Sequence, residues 1–276
     1  MDYYFNFKEK AAKYSNAIGL LKQHNIPEAW PPKMEDSYSW EDACLDEGSM
    51  LARDDVIHFA GYCFLSNNWL RPLASWISTR KCLEIMGGSG ALSKGLQNFG
   101  VDIRCTDDFS WSEQHKWWYE HPWTSVEQIG AVEAIQKYGK EVELVLCSWP
   151  YTDDACYHSL ISMREINPTA MMIYIGEGAG GCTADEKFFE TAIVVPDSEF
   201  QNAVREYRSA YCIHDRPKRV VKDFLIKFTK RPQKKCQKHF HAPDTQASRV
   251  TCGRLAVRRK CTHIPAVGRY RVSSAA

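Results

Sequence analysis

The stretch KCLEIMGGSGALSKGLQNFGVDIRCTDDFSW, Lys81 to Trp111, constrains this chain more than any other. An apolar run, 82–86, carries one acid, Glu84, and meets three glycines, Gly87, Gly88 and Gly90. A helix-like segment, SKGLQNFG, ends on Gly100, and a second apolar run, 101–105, leads to Asp107 and Asp108. Strand, turn, helix and strand in so short a length make a βαβ unit with parallel strands. Glycine closes such a turn without a Cβ clash and lets backbone approach a ligand, while the helix N-terminus brings free N–H groups to the same place. An acid at the end of the next strand lies beside that crevice and can hold a ribose diol. Gly88 and Asp107 are 19 residues apart, a usual separation for the pairing.

The rest of the chain repeats the alternation. Apolar runs at 143–147, 171–175, 192–195 and 224–228 are separated by helical stretches. Before them, FKEKAAKYSNAIGLLKQHN has apolar residues at helical spacing, PEAWPP breaks the chain, and SWEDACLDEGSMLARDDVIHFAGYCFLSNNWL reads as one or two further helices. The expected fold is α/β: a Rossmann-like, doubly wound, mostly parallel sheet with helices on both faces. A helical N-terminal extension, 1–78, is expected to form a lid or part of an acceptor pocket. The sheet domain spans 79–230, and a basic, poorly packed tail spans 231–276.

Hydrophobic residues make up 44% of the 276, enough to bury a core, and no apolar run is long enough to predict a membrane helix. The opening MDYYFNFKEK lacks a basic head before an apolar stretch, so no secretory signal is expected. The 11 cysteines are scattered, with Cys63, Cys82, Cys105 and Cys147 in apolar contexts, and read as reduced thiols of a cytoplasmic protein. The net charge of +1 hides a split. From Arg216 on there are 17 Lys and Arg against Asp223 and Asp244, leaving 18 basic and 32 acidic residues before it. The body is near −14 and the tail near +15, as in a chain whose basic arm meets a polyanion or its own acidic body.

The glycine stretch, read as E-x-M-G-G-S-G, resembles motif I of the Rossmann-like class I S-adenosylmethionine (SAM)-dependent methyltransferases, commonly E/D-x-G-x-G-x-G. The resemblance implies SAM as cofactor, with Glu84 near its methionine amino end, Gly88 and Gly90 as the second and third motif glycines, and Asp107, or its neighbour Asp108, on the ribose. Met86 replaces the first glycine, and Gly87 can compensate. Physical chemistry favours the same ligand over a dinucleotide. A carboxylate in the loop repels a diphosphate but suits a molecule bearing a sulfonium and an ammonium.

The run Val142–Cys147 ends in Ser148, Trp149, Pro150 and Tyr151, which resembles motif IV, D/N/S-P-P-Y/F, of methyltransferases acting on amino groups. By that resemblance the polar side chain and the next carbonyl accept from the target N–H, and the aromatic ring stacks on its flat face. Trp149 replaces the first proline. In MMIYIGEGAGGCTADEKFFE, Glu177 lies between glycines at a strand end, where it is expected either to point into the crevice, to bind a cationic acceptor or accept a proton, or to be an exposed loop acid. Thr183 with Glu186 reads as a capping box. SWPY followed by the IGEGAGGCT loop also looks like an uncharacterised methyltransferase-like group, over roughly Trp76 to Lys230.

FSWSEQHKWWYEHPW reads as a packed aromatic flap or as a wall for adenine or acceptor, and YYFNF as a lid or a packed helix start. Asp153 and Asp154 read as solvated turn residues. Cys236, His239, His241, Cys252, Cys261 and His263 match no zinc-finger spacing, so no metal is expected. The basic runs KRPQKK and RLAVRRK suit at most a weak, sequence-blind polyanion contact. The expected activity is methyl transfer to a nitrogen of an unspecified acceptor, on a small molecule or a macromolecule. The rivals are a non-catalytic nucleic-acid-binding or scaffold protein of degenerate methyltransferase fold, and an NAD(P)-dependent oxidoreductase. Against the latter, YTDDACYHS has no lysine at Tyr-x-x-x-Lys spacing.

Overall fold

The computed structural model describes residues 14–31, 47–208 and 217–222. Three helices come first: α1 (Ser15–Leu21), α2 (Glu47–Phe59) and α3 (Asn67–Ile77). An alternating region follows: β1 (Cys82–Ile85), α4 (Ala91–Gln97), β2 (Ile103–Asp107), α5 (Lys116–Glu120), β3 (Val126–Gln128), α6 (Ala131–Tyr138), β4 (Leu144–Ser148), α7 (Ala155–Ile166) and β5 (Met171–Ile175). It ends with α8 (Glu186–Thr191), β6 (Ala192–Val194), α9 (Ser198–Ala203) and β7 (Lys218–Lys222).

The strands form one sheet in the order β3-β2-β1-β4-β5-β7-β6. The first five are mutually parallel, and β7 runs antiparallel between β5 and β6. The expected Rossmann-like, doubly wound sheet is therefore present. From β1 the chain winds outward through β2 and β3, then returns to place β4 and β5 on the other side. The switch point between β1 and β4 leaves a crevice at the C-terminal ends of the strands, where open α/β sheets bind their ligands.

The sequence builds this sheet because its central strands, LVLCS and MMIYI, are apolar on both faces, as parallel strands covered by helices require. Leu144, Leu146, Ile173 and Ile175 enter one layer with Leu21, Phe64, Trp69, Leu73 and Leu96, so the N-terminal helices share the sheet's own core. Val145, Cys147, Met172 and Tyr174 enter the other with Ile135, Leu160, Met163 and Phe188. Each fully buried aliphatic or aromatic side chain here contributes about 1.5–3 kcal/mol.

Some expectations need correction. The strand β3 was not expected. Run 192–195 is the edge strand β6, and the last described strand is β7 at Lys218–Lys222, while the expected run 224–228 lies outside the described residues. So do the YYFNF segment and the tail 231–276 with its cysteines and histidines. Thr183 does not cap α8. Asp185 does, its carboxylate accepting from Phe188 N at 2.9 Å, while Thr183 Oγ1 pairs with Tyr174 Oη at 2.7 Å inside the core.

Candidate functional site

Alternation along the strands decides which side chains meet at the crevice. Glu84 lies opposite Cys105 in the β1–β2 register, and Asp107 lies two residues further along β2, so both carboxylates share the sheet face that carries α4. Ser148 has the parity of Leu144 and Leu146 and belongs to that face too.

Glu84 is 1% exposed and lies beneath the glycine turn. Its Oε2 accepts from Ser93 N at 3.1 Å, from the Ser93 hydroxyl and from the Cys105 thiol at 3.5 Å. A Cβ on Gly87 would collide with Cys105 Sγ and stand 3.3 Å from Glu84 Cδ, which explains a glycine one place after Met86. Gly88 (φ 57°) and Gly90 (φ 77°) are in the left-handed region. At Gly90 a Cβ would also press on Thr124 and Val126 at 3.0 Å. Ser93, which stands where a dinucleotide fingerprint has its third glycine, thus holds the acid instead.

Asp107 is 3% exposed and organises the loop ends. Its Oδ2 accepts from Gly88 N, and its Oδ1 from Phe109 N and Trp111 Nε1, each at 2.8 Å. A carboxylate offers about four lone-pair sites, so one on Oδ2 stays open to a ligand hydroxyl. Asp108 is exposed and accepts from Ser110 N at 2.8 Å, a turn contact.

Burial pushes the Glu84 carboxyl up to about 7, against the hydrogen bonds from Ser93 and Cys105, and Asp107 adds to the rise. Burial likewise raises Asp107, partly offset by the Gly88 and Phe109 N–H groups. Among the described residues no salt bridge reaches either acid. The site holds two buried carboxyls, and among the described residues no cation pairs with either.

The backbone is strained at the same edge. Met86 follows β1, Phe109 comes two residues after β2 and Trp149 follows β4; their φ values are 52°, 59° and 55°. Each left-handed non-glycine residue costs about 1–2 kcal/mol, and such strain clusters at ligand sites. Trp149 N also donates to Ile175 O at 2.7 Å. A proline, locked near φ −65° and lacking the N–H, fits neither requirement, so Trp149 marks a turn different from that of the proline motif it resembles.

Beyond Trp149, Pro150 is buried and Tyr151 is 46% exposed, its carbonyl accepting from Ala184 N at 3.0 Å. The Tyr151 phenol is pushed up to about 12, first by burial, then by Tyr62, Asp107, Asp108 and Asp153, so its hydroxyl lies within their field. Among the described residues neither the Ser148 nor the Tyr151 hydroxyl makes a hydrogen bond.

Glu177 requires a correction: its carboxylate is turned onto its own loop, accepting from Cys182 N, and a Cβ on Gly181 would meet it at 2.5 Å. Asp153 and Asp154 are surface turn residues, Asp154 pairing with His158 at 3.3 Å. No group of three or more His, Cys, Asp or Glu that could hold a metal occurs among the described residues. Cys82, Cys105, Cys147 and Cys156 carry free thiols, and no described helix is long and apolar enough to cross a membrane.

The aromatic flap has a structural basis not visible in the sequence. The last carbonyls of α2 lack helical partners and are capped by distant side chains. Trp118 Nε1 donates to Ile57 O at 2.7 Å, Trp123 Nε1 to Phe59 O at 2.8 Å, and the Ser89 hydroxyl to Ala60 O. This draws Trp118 over the glycine turn, 3.5 Å from where a Gly88 Cβ would be. Tyr62, just after α2, then bridges the flap to the loop after β4. Its ring meets Trp118 edge-on at 5.8 Å and stacks on Trp149 at 5.8 Å and 29°. His115 stacks on Trp118 at 4.0 Å. Sequence reasoning missed Tyr62 and did not single out His115 within the aromatic flap, since both join the site through contacts distant in sequence.

No family model matches the chain, and no curated protein compared with it matches. Among solved structures, it is similar to a SAM-dependent methyltransferase from Agrobacterium tumefaciens (14% identity, TM-score 0.30), covering 41% of this chain and 44% of that one. It is similar to the mitomycin 7-O-methyltransferase MmcR (14%, TM-score 0.34; 64% and 57%) and to a variant of MtNAS in complex with S-adenosylmethionine (11%, TM-score 0.37; 80% and 98%). The match thus spans less than half of the Agrobacterium enzyme's length. At these scores the functional reading rests on the site's own geometry.

Proposed function

We propose that this protein is a SAM-dependent methyltransferase whose acceptor is a nitrogen, an amine or amide, on a small molecule or a macromolecule. One observation carries the reading: two buried carboxyls, Glu84 and Asp107, flank a glycine turn at the switch point, and among the described residues no cation pairs with either. A ligand bearing a sulfonium and an ammonium supplies that charge, and a diphosphate aggravates the imbalance. The residues fit the cofactor. Gly88 and Gly90 give the turn its left-handed backbone, Asp107 keeps one lone pair for a ribose hydroxyl, and Glu84 supports the turn from beneath.

When bound, SAM supplies a methyl carbon already activated by sulfonium. The chain's own task is alignment and exclusion of water. Ser148 Oγ and the strained Trp149 backbone stand at the end of β4 beside the glycine turn, where they orient an acceptor N–H, and Trp149 with Tyr62 offers a flat apolar surface to a planar acceptor.

The non-catalytic alternative is favoured by the packing of Trp118 against Gly88, which narrows the crevice. Calorimetric titration separates the readings. Micromolar binding of SAM with NAD silent supports the first, silence of both supports the alternative, and NAD binding alone supports the oxidoreductase. Labelled SAM incubated with cell extract and the purified chain then shows which size fraction takes the methyl group.

A further inference from the structure

With Glu177 turned onto its own loop, the crevice needs another proton acceptor. Methylating a neutral amide or heteroaromatic nitrogen forms an N–C bond as the C–S bond breaks and its electron pair returns to sulfur. The nitrogen becomes cationic and must lose its N–H proton. Ser148 and the strand-end carbonyls accept a hydrogen bond from that N–H but are far too weakly basic to keep the proton. Glu84 is sealed beneath the glycine turn and Asp107 is already bonded by three N–H groups, so neither acid is placed for the task.

Tyr62 and His115 are. The Tyr62 ring stacks on Trp149, the residue after Ser148, so its hydroxyl is carried on the wall of the acceptor loop. That hydroxyl lies 3.2 Å from His115 Nε2. His115 is fixed by stacking on Trp118, 4.0 Å between centroids and 5° from parallel, and its ring is half-buried. We propose that Tyr62 and His115 form a proton relay serving the acceptor nitrogen: the Tyr62 oxygen takes the N–H proton as its own passes to His115 Nε2, leaving an imidazolium. This rests on the methyl-transfer reading.

The surroundings suit the direction of transfer. Burial and then the neighbouring His58 hold His115 below its usual 6.5, so it is neutral near pH 7 and Nε2 can accept. Burial raises the Tyr62 phenol, so it rests protonated and relays rather than ionises. The charged and titratable groups facing the pair are Arg53 and His58 from α2, Tyr151 from the β4 loop, and Asp107 and Asp108 behind Tyr151.

The test uses the full chain, methyl-labelled SAM and the extract fraction that accepts label. Tyr62→Phe keeps the ring on Trp149 and removes only the hydroxyl; His115→Gln removes the base. Each is expected to slow transfer about 100-fold at saturating SAM, with SAM affinity by calorimetry within twofold of wild type. The wild-type rate should rise with pH to a plateau with its midpoint below 6.5, and Tyr62→Phe and His115→Gln should lose that limb. A Tyr62→Phe variant that binds SAM normally and keeps the wild-type rate and pH profile overturns the relay while leaving methyl transfer standing. A wild-type chain that labels no fraction overturns both.

Discussion

Replacing Glu84 with Gln removes a charge from beneath the glycine turn and leaves the shape unchanged. The carboxyl is raised from 4.5 to about 7 by burial, a rise worth about 3 kcal/mol at 1.36 kcal/mol per unit. The sign follows from proton binding. Between pH 4.5 and 7 the folded state holds a proton that the unfolded state has lost, so stability falls as pH rises through that window. Its full benefit is present below 4.5 and gone above 7. Glutamine does not titrate. Unfolding free energies of wild type and Glu84→Gln, from urea titrations at pH 4.5, 6, 7 and 8, should therefore diverge by about 3 kcal/mol in favour of the variant from the lowest pH to the highest. Any fixed cost of burying the amide cancels in that difference. A gap constant across the range would mean that Glu84 is solvated or paired in solution, and the picture of an uncompensated buried acid would be wrong.

Two further substitutions probe the turns. Trp149→Pro, which restores the motif proline, should lose about 3 kcal/mol or more in thermal or urea unfolding, because φ is 55° and the N–H to Ile175 O is lost; a neutral result would mean the β4 turn is not left-handed. Gly87→Ala should cost about 1–3 kcal/mol through the collision with Cys105 Sγ, and Gly87→Ala with Cys105→Ala should recover most of it; simple additivity would refute the contact.

Much of this arrangement was legible in sequence because it is local. The strand, glycine turn, helix and acid from Cys82 to Asp107 lie within one βαβ unit, and the apolar runs of β4 and β5 are what a doubly covered parallel strand requires. β3 escaped because VEQ is short and only partly buried, so it has no period to read. Thr183 mimicked a capping box because Asp185, a better placed acceptor, lay two residues on. Glu177 was misjudged because glycines on either side let its loop fold back on the carboxylate. The pairing of Tyr62 with His115 was invisible for a different reason. They meet across 53 residues, and only the capping of α2 by Trp118 and Trp123 brings them to the crevice.

The most direct test is an isothermal titration of SAM into the 276-residue chain and into Asp107→Asn at pH 7. The wild type should bind one equivalent with micromolar affinity, and loss of the charge-assisted hydrogen bond to a ribose hydroxyl should weaken binding about 10- to 100-fold. Absence of binding by the wild type, or equal affinity for the two proteins, would contradict a crevice built for a positively charged sulfur nucleoside.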